Sequence, residues 1–160
     1  MGPEGRPVTP TLIGRWQTRV FLLASVGSLV SLPFALIAGS WSFYAVIAWV
    51  ALLGIAWDVL YQFLQSFRWE RDWPPAFIVV AGVAEGVLVF GLATTIGLPG
   101  IPRDLSPSLF AFHYTAVWLA VFFFAQGPMR ALFPWWRFHG GRIWPGVSGR
   151  QRRGTAPSGR

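Results

Sequence analysis

The chain has 160 residues, 54% of them hydrophobic and 12% charged, with a formal net charge of +7. A soluble domain carries roughly 25% charged residues, so a fraction half that size beside a large apolar share points to lipid as the solvent. Cysteine is absent, which excludes a disulfide framework, a thiolate metal site and a membrane oxidoreductase acting through its own thiols.

Residues 1–19 read as a cytoplasmic or interfacial lead. Gly2, Pro3, Gly5, Pro7 and Pro10 oppose regular structure, and Arg15, Trp16 and Arg19 suit an approach to the membrane interface. The first apolar segment covers about 20–38, close to the ~20 residues that cross a ~30 Å hydrocarbon core. A secretory signal peptide is the rival reading of this segment, with Pro33 as breaker and Ala38, Gly39 and Ser40 as small residues for cleavage. The second segment covers about 42–67, with Ser40 or Ser42 as N-cap. A charged hinge follows, Arg68-Trp69-Glu70-Arg71-Asp72. Pro74 and Pro75 open the third segment, about 75–96, and Gly97 and Pro99 close it. After a proline-rich loop the fourth runs over about 108–126. Gly127-Pro128 ends or kinks it, and a short juxtamembrane helix is predicted over 128–136. Residues 137–160 read as a basic, largely disordered cytoplasmic tail.

The expected fold class is therefore all-α. Residues 20–136 are predicted to form an antiparallel four-transmembrane-helix bundle of a polytopic membrane protein. The lead, the 68–72 hinge and the chain from Arg130 to the C-terminal tail fall on one side and hold every arginine but Arg103. By the positive-inside rule both termini are cytoplasmic and the protein belongs to a bacterial-style cell inner membrane. Arginines that flank apolar segments are a topology signal before they are a ligand signal. Arg130, Arg137, Arg142, Arg150, Arg152 and Arg153 are the candidates for anionic headgroups, at about 1 kcal/mol each. Arg130 either snorkels to the headgroups or pairs with Glu70 or Asp72, the first being preferred. No nucleic-acid partner is expected, because the tail has no fold to present its aromatics for stacking.

Helix interfaces in lipid favour small and hydrogen-bonding residues. The first segment has such a stripe at Ala24, Ser28, Ser31 and Ala35. The second has Ala51, Gly54, Asp58, Tyr61, Gln62 and Gln65. The third has Gly82, Glu85, Gly86 and Ala93, with a GxxxG at Gly82 and Gly86. Gly54, Gly82 and Gly86 are the predicted close-packing positions. The fourth segment offers two faces, Ala111, Thr115 and Gln126 or His113, Ala116, Ala120 and Gly127.

Asp58 precedes Arg68 by about ten residues and Glu85 follows Pro75 by about ten. Counted inward from the hinge, the two carboxylates reach one depth on adjacent helices. An ionisable group near mid-membrane costs roughly 2.5–3.5 kcal/mol. Asp58, Tyr61, Gln62 and Glu85 therefore form the candidate polar-core site. Its first reading is structural: protonated carboxyls bonding Tyr61, Gln62 or each other. A proton-handling pair and a site for a cation or cationic substrate are the alternatives. His113 falls nearer the outer side and reads as interfacial or lipid-facing, with a place in the polar core as its other option. One histidine in the membrane rules out bis-histidine haem ligation within the chain, and no metal or cofactor is predicted.

No nucleotide-binding loop, zinc-protease motif or nucleophile elbow is present, and no catalytic residue is assigned. Residues 73–77, WPPAF, resemble the tryptophan- and proline-rich loop of the TspO tryptophan-rich sensory proteins. The resemblance ends with those five residues, and nothing of that family's fold or activity carries over. The expected role is structural or accessory, as a subunit of a larger membrane complex rather than an enzyme. The alternative is a small proton- or cation-coupled transporter acting as a homodimer around Asp58 and Glu85. A weaker option is an intramembrane lipid enzyme using the same two as acid and base.

Overall fold

The structure is a computed structural model. It describes residues 12–66, 76–133 and 143, without the side chains at 61, 62, 65, 66 and 76–78. The described residues are all-helical. Helix α1 (Leu12–Leu22) continues through a π-helical turn (Leu23–Gly27) into α2 (Ser28–Ala38); then come α3 (Ser42–Ser66), α4 (Ala76–Thr95), α5 (Pro107–Gln126) and the short α6 (Pro128–Leu132). Among the described residues three helical stretches are long and apolar enough to cross a membrane: Leu12–Ala38, Ser42–Leu60 and Pro107–Leu132. The apolar stretch within α4, Val79–Thr95, is shorter. The lead at 1–11, the hinge at 67–75 and most of the region from 134 onward lie outside the described residues, and with them Arg137, Arg142, Arg150, Arg152 and Arg153.

The first rod starts earlier than the expected 20–38. Its opening turns are amphipathic, and Arg15 and Arg19 are carried on a helix that runs without interruption into the apolar stretch. Pro33 lies inside α2 without ending it. The π turn alters the expected stripe. It inserts one residue into the helical repeat, so the buried line passes through Leu23, Gly27, Ser31 and Ala35, while Ala24 is exposed. Ser28 Oγ donates to Leu23 O at 3.5 Å within this turn.

The turns at one end are fixed by left-handed glycines. Gly39 (φ 61°) caps α2, and Gly97 (φ 85°) follows α4, its N–H reaching Leu92 O at 3.0 Å. Arg103 then donates to Ile96 O at 2.7 Å, satisfying a carbonyl left open at the helix end. Ser40 Oγ accepts from the Ser42 N–H at 3.3 Å at the start of α3. This end, with the exposed Trp41, is called the Trp41 end below; the other is the Met129 end.

The first rod packs on α3 and α5, and α4 packs on the same two helices. The core between them joins Leu23, Val46, Ile47, Val50, Val89, Ala93, Phe110 and Val117. The outward faces are apolar too, with Leu29, Leu36, Val83, Val87, Phe112 and Phe123 exposed, as lipid requires.

Of the two small-residue faces of α5, the one with Ala111, Thr115 and Gln126 is exposed, while the other brings His113 fully inside and leaves Ala116 and Ala120 half-buried. Phe110, His113, Tyr114, Val117, Trp118 and Val121 turn inward, while Ala111 and Thr115 are exposed. The cause lies on α4. Gly82 and Gly86 leave a trough filled by two aromatic side chains: a Cβ at Gly82 would overlap the Trp118 indole, and one at Gly86 would lie 2.7 Å from the Tyr114 ring. Tyr114 also donates to Gly82 O at 2.7 Å. The GxxxG thus receives large residues, and knob and hole divide between the partners.

Gly82→Ala is predicted to destabilise the protein by about 1–3 kcal/mol through overpacking. Gly91→Ala, where an added methyl meets nothing within 4 Å, should be neutral or stabilising. Thermal unfolding of the two variants in one detergent checks the contrast.

Candidate functional site

Asp58 and Glu85 come together on a third residue, Arg19. The Arg19 guanidinium donates side-on to Asp58, Nε to Oδ2 at 3.1 Å and Nη2 to Oδ1 at 3.0 Å. It donates through Nη1 to Glu85 Oε1 at 2.8 Å. Three of its five N–H donors are engaged. The ion pairs join α1 to α3 and α1 to α4 across the interior.

Local sequence makes this geometry possible. Gly54 lies one turn from Asp58 on the same face of α3, and a Cβ there would overlap the Arg19 guanidinium and lie 2.7 Å from Glu85 Oε1. The missing side chain is the space through which Arg19 reaches α4. The Asp58 and Glu85 side chains are 11% and 7% exposed, and that of Arg19 is 22% exposed. The guanidinium therefore covers the carboxylates.

The sequence reading puts Arg19 at the interface, and its actual position is the main departure from that reading. A helical start at Leu12 places it a full two turns in, on the same rod as the apolar stretch. The signal for it is charge balance: two carboxyls at depth need a cation, and Arg19 directly adjoins an apolar segment. The expected partners Tyr61 and Gln62 have side chains outside the described residues. Asp58 and Glu85 are paired through Arg19 rather than with each other.

His113 is corrected as well. It is 1% exposed, and its Nε2 lies 2.8 Å from Ser31 Oγ. The Phe34 and Phe43 rings flank it at 5.0 and 4.9 Å. It is an interior residue, because α5 turns its aromatic face inward. Arg130 donates to Gln126 Oε1 at 2.7 Å, one turn back on an exposed surface; Glu70 and Asp72 lie outside the described residues.

A cavity of about 450 Å³ adjoins the triad. Its wall includes Arg19, Asp58 and Glu85, with Trp57, Tyr114, Trp118 and Phe122 among the aromatics. On α5 the lining runs from His113 to Ala125, about 18 Å at 1.5 Å per residue. Helix α5 packs mainly on the π turn and α2, and only lightly on α1, and residues of both α1 and α5 line the cavity. Among the described residues no three His, Cys, Asp or Glu side chains converge to hold a metal.

No protein-family model matches the chain, and no curated protein and no solved structure matches it.

Arg19→Met removes the cation from two buried carboxyls. Breaking a buried pair in this way costs about 3–5 kcal/mol. The triple variant Arg19→Met, Asp58→Asn, Glu85→Gln removes all three charges and should recover most of that loss. Chemical unfolding in mixed micelles checks both, and a triple variant no more stable than the single one would count against a charge-pairing role.

Proposed function

We propose that the chain is a non-enzymatic structural or accessory protein of the cytoplasmic membrane, an antiparallel four-helix bundle with both termini cytoplasmic. The observation that carries this reading is the occupation of Asp58 and Glu85 by Arg19 at 2.8–3.1 Å. A carboxylate pair waiting for a proton or metal ion would stand open. This pair is already closed by a cation of the chain itself. Each embedded charge costs roughly 2.5–3.5 kcal/mol when unpaired. Mutual pairing offsets much of that and fixes the register of α1, α3 and α4. In lipid, where hydrophobic burial between helices gains little, such polar contacts specify packing.

The topology follows from the arginine distribution, with Arg103 alone on the opposite side. The shorter apolar stretch of α4 is counted as a crossing because its 20 residues reach about 30 Å. Membrane lipids, with anionic headgroups at the cytoplasmic face, and protein partners in a larger complex are the expected company. A second reading, the proton- or cation-coupled transporter acting as a homodimer, draws on the cavity that borders Asp58 and Glu85.

A reporter active only in the periplasm, fused after residue 160, should be silent; activity would overturn the topology. Purification in native lipid should yield stoichiometric protein partners. Pure homodimers carrying pH-driven flux in liposomes, abolished by Asp58→Asn in a folded variant, would replace the accessory role with transport.

A further inference from the structure

We infer that the cavity between the first rod, α3, α4 and α5 is a binding site for a single hydrocarbon chain, seated with its tip among the aliphatic residues beyond the triad. The site goes beyond the accessory reading and does not depend on it.

Shape comes first. The lining runs from Val46 to Asp58 on α3 and from His113 to Ala125 on α5, about 18 Å on each helix at 1.5 Å per residue. A volume of about 450 Å³ drawn out over that length is long and thin. It falls within the ~300–1,000 Å³ of small-molecule sites, and its form suits an unbranched chain rather than a compact solute.

The wall changes along its length. Toward the Trp41 end it is made by Leu22, Leu23, Val46, Ile47, Val50 and Val117, all buried. His113 adds its ring there. Its Nε2 is engaged with Ser31 and its Nδ1 is buried, so the imidazole contributes little polar surface. Toward the Met129 end the wall passes to Ala81, Trp118, Val121, Phe122 and Ala125, all half-buried. The cavity is therefore closed at its aliphatic end, and the accessible part of its wall lies at the other. Trp118 and Phe122 stack there with centroids 5.4 Å apart and form a flat aromatic side.

Chemistry selects the occupant. Apolar cavities stay dry and take up apolar guests, because an empty one forfeits dispersion contacts along its lining. The aliphatic end offers an ion or a polar solute no partner among the described residues. At mid-length Asp58 and Glu85 are covered by Arg19 at 2.8–3.1 Å, and Tyr114 donates its hydroxyl to Gly82 O. A hydrocarbon chain passing them displaces none of these contacts. The outward helix faces are apolar, and the lipid that covers such faces is itself made of these chains. Two sources share the chemistry: an acyl chain of a bilayer phospholipid, and a free single-chain amphiphile.

Two photoreactive probes separate the sources, a phosphatidylcholine and a free long-chain alcohol, each with a diazirine near the end of one alkyl chain. The full chain is irradiated with each in phosphatidylcholine nanodiscs, and labelled residues are mapped by peptide mass spectrometry. Label is expected on Leu23, Ile47, Val50 or Val117, which are 4–7% exposed, as well as on the outward Leu29 and Val87. Interior label from the phospholipid assigns a bilayer chain, and interior label from the alcohol alone assigns a free amphiphile. Val121→Trp and Ala125→Trp each add an indole to the half-buried wall. Either should lower the interior label at least tenfold while label on Leu29 and Val87 stays unchanged. The inference is overturned if both probes label outward residues only, or if the two variants, folded, keep the interior label at its original level.

Discussion

A charge placed at membrane depth has to find its counter-charge inside the protein, because lipid offers none. The rest of this structure depends on the way Arg19 meets that constraint. Its guanidinium sits between Asp58 on α3 and Glu85 on α4 while its own backbone belongs to α1. The contact is bidentate toward Asp58, which fixes the plane of the fork as well as its distance. A point-like ammonium would hold the two acids less specifically. Three helices are thereby tied in one register by one side chain. The absent Cβ at Gly54 is what lets that side chain cross. Charge and space are solved together, and neither works alone.

The second organising contact is steric. Gly82 and Gly86 on α4 receive Trp118 and Tyr114 of α5, and Tyr114 adds a hydrogen bond to Gly82 O at 2.7 Å. Because α5 commits its aromatic face to this trough, His113 is carried inward, where Ser31 and two phenylalanine rings surround it. The π turn in the first rod serves the same packing. It brings Gly27 into contact distance of Val117, where an added methyl would lie 3.6 Å from Val117 Cγ1, so the rod meets α5 closely at that level. Helix α1 packs on α5 more lightly than the π turn does, and residues of both helices line the cavity. The triad and the cavity thus adjoin each other: α1 is held to α3 and α4 by charge and packs only lightly on α5.

Much of this was readable from residue order. The apolar runs and their punctuation located the start of α3, the end of α4 and both ends of α5 to within a residue or two, because glycine, proline and serine at the ends act locally. The faces of α3 and α4 were legible from Gly54, Asp58, Gly82, Glu85 and Gly86, since a carboxyl in lipid has only the protein interior to turn to. The first rod was harder. Nothing in the sequence announces a π turn, so the stripe drawn through Ala24 falls one residue out of phase. The face of α5 was illegible because small residues occur on two of its sides, and its actual partner is defined by glycines on another helix.

The sequence by itself determined that the chain is apolar, helical and suited to lipid, and that two acids had to be buried in it. Those properties are local or additive, set by composition, by helical period and by the solvation cost of one charge at a time. Only the tertiary structure decided that Arg19 answers both acids, that His113 lies inside, and that an apolar slot remains beside the triad. These depend on where residues separated by 39 and 66 positions meet. That meeting is governed by the shapes of facing helices, which no single helix's sequence contains.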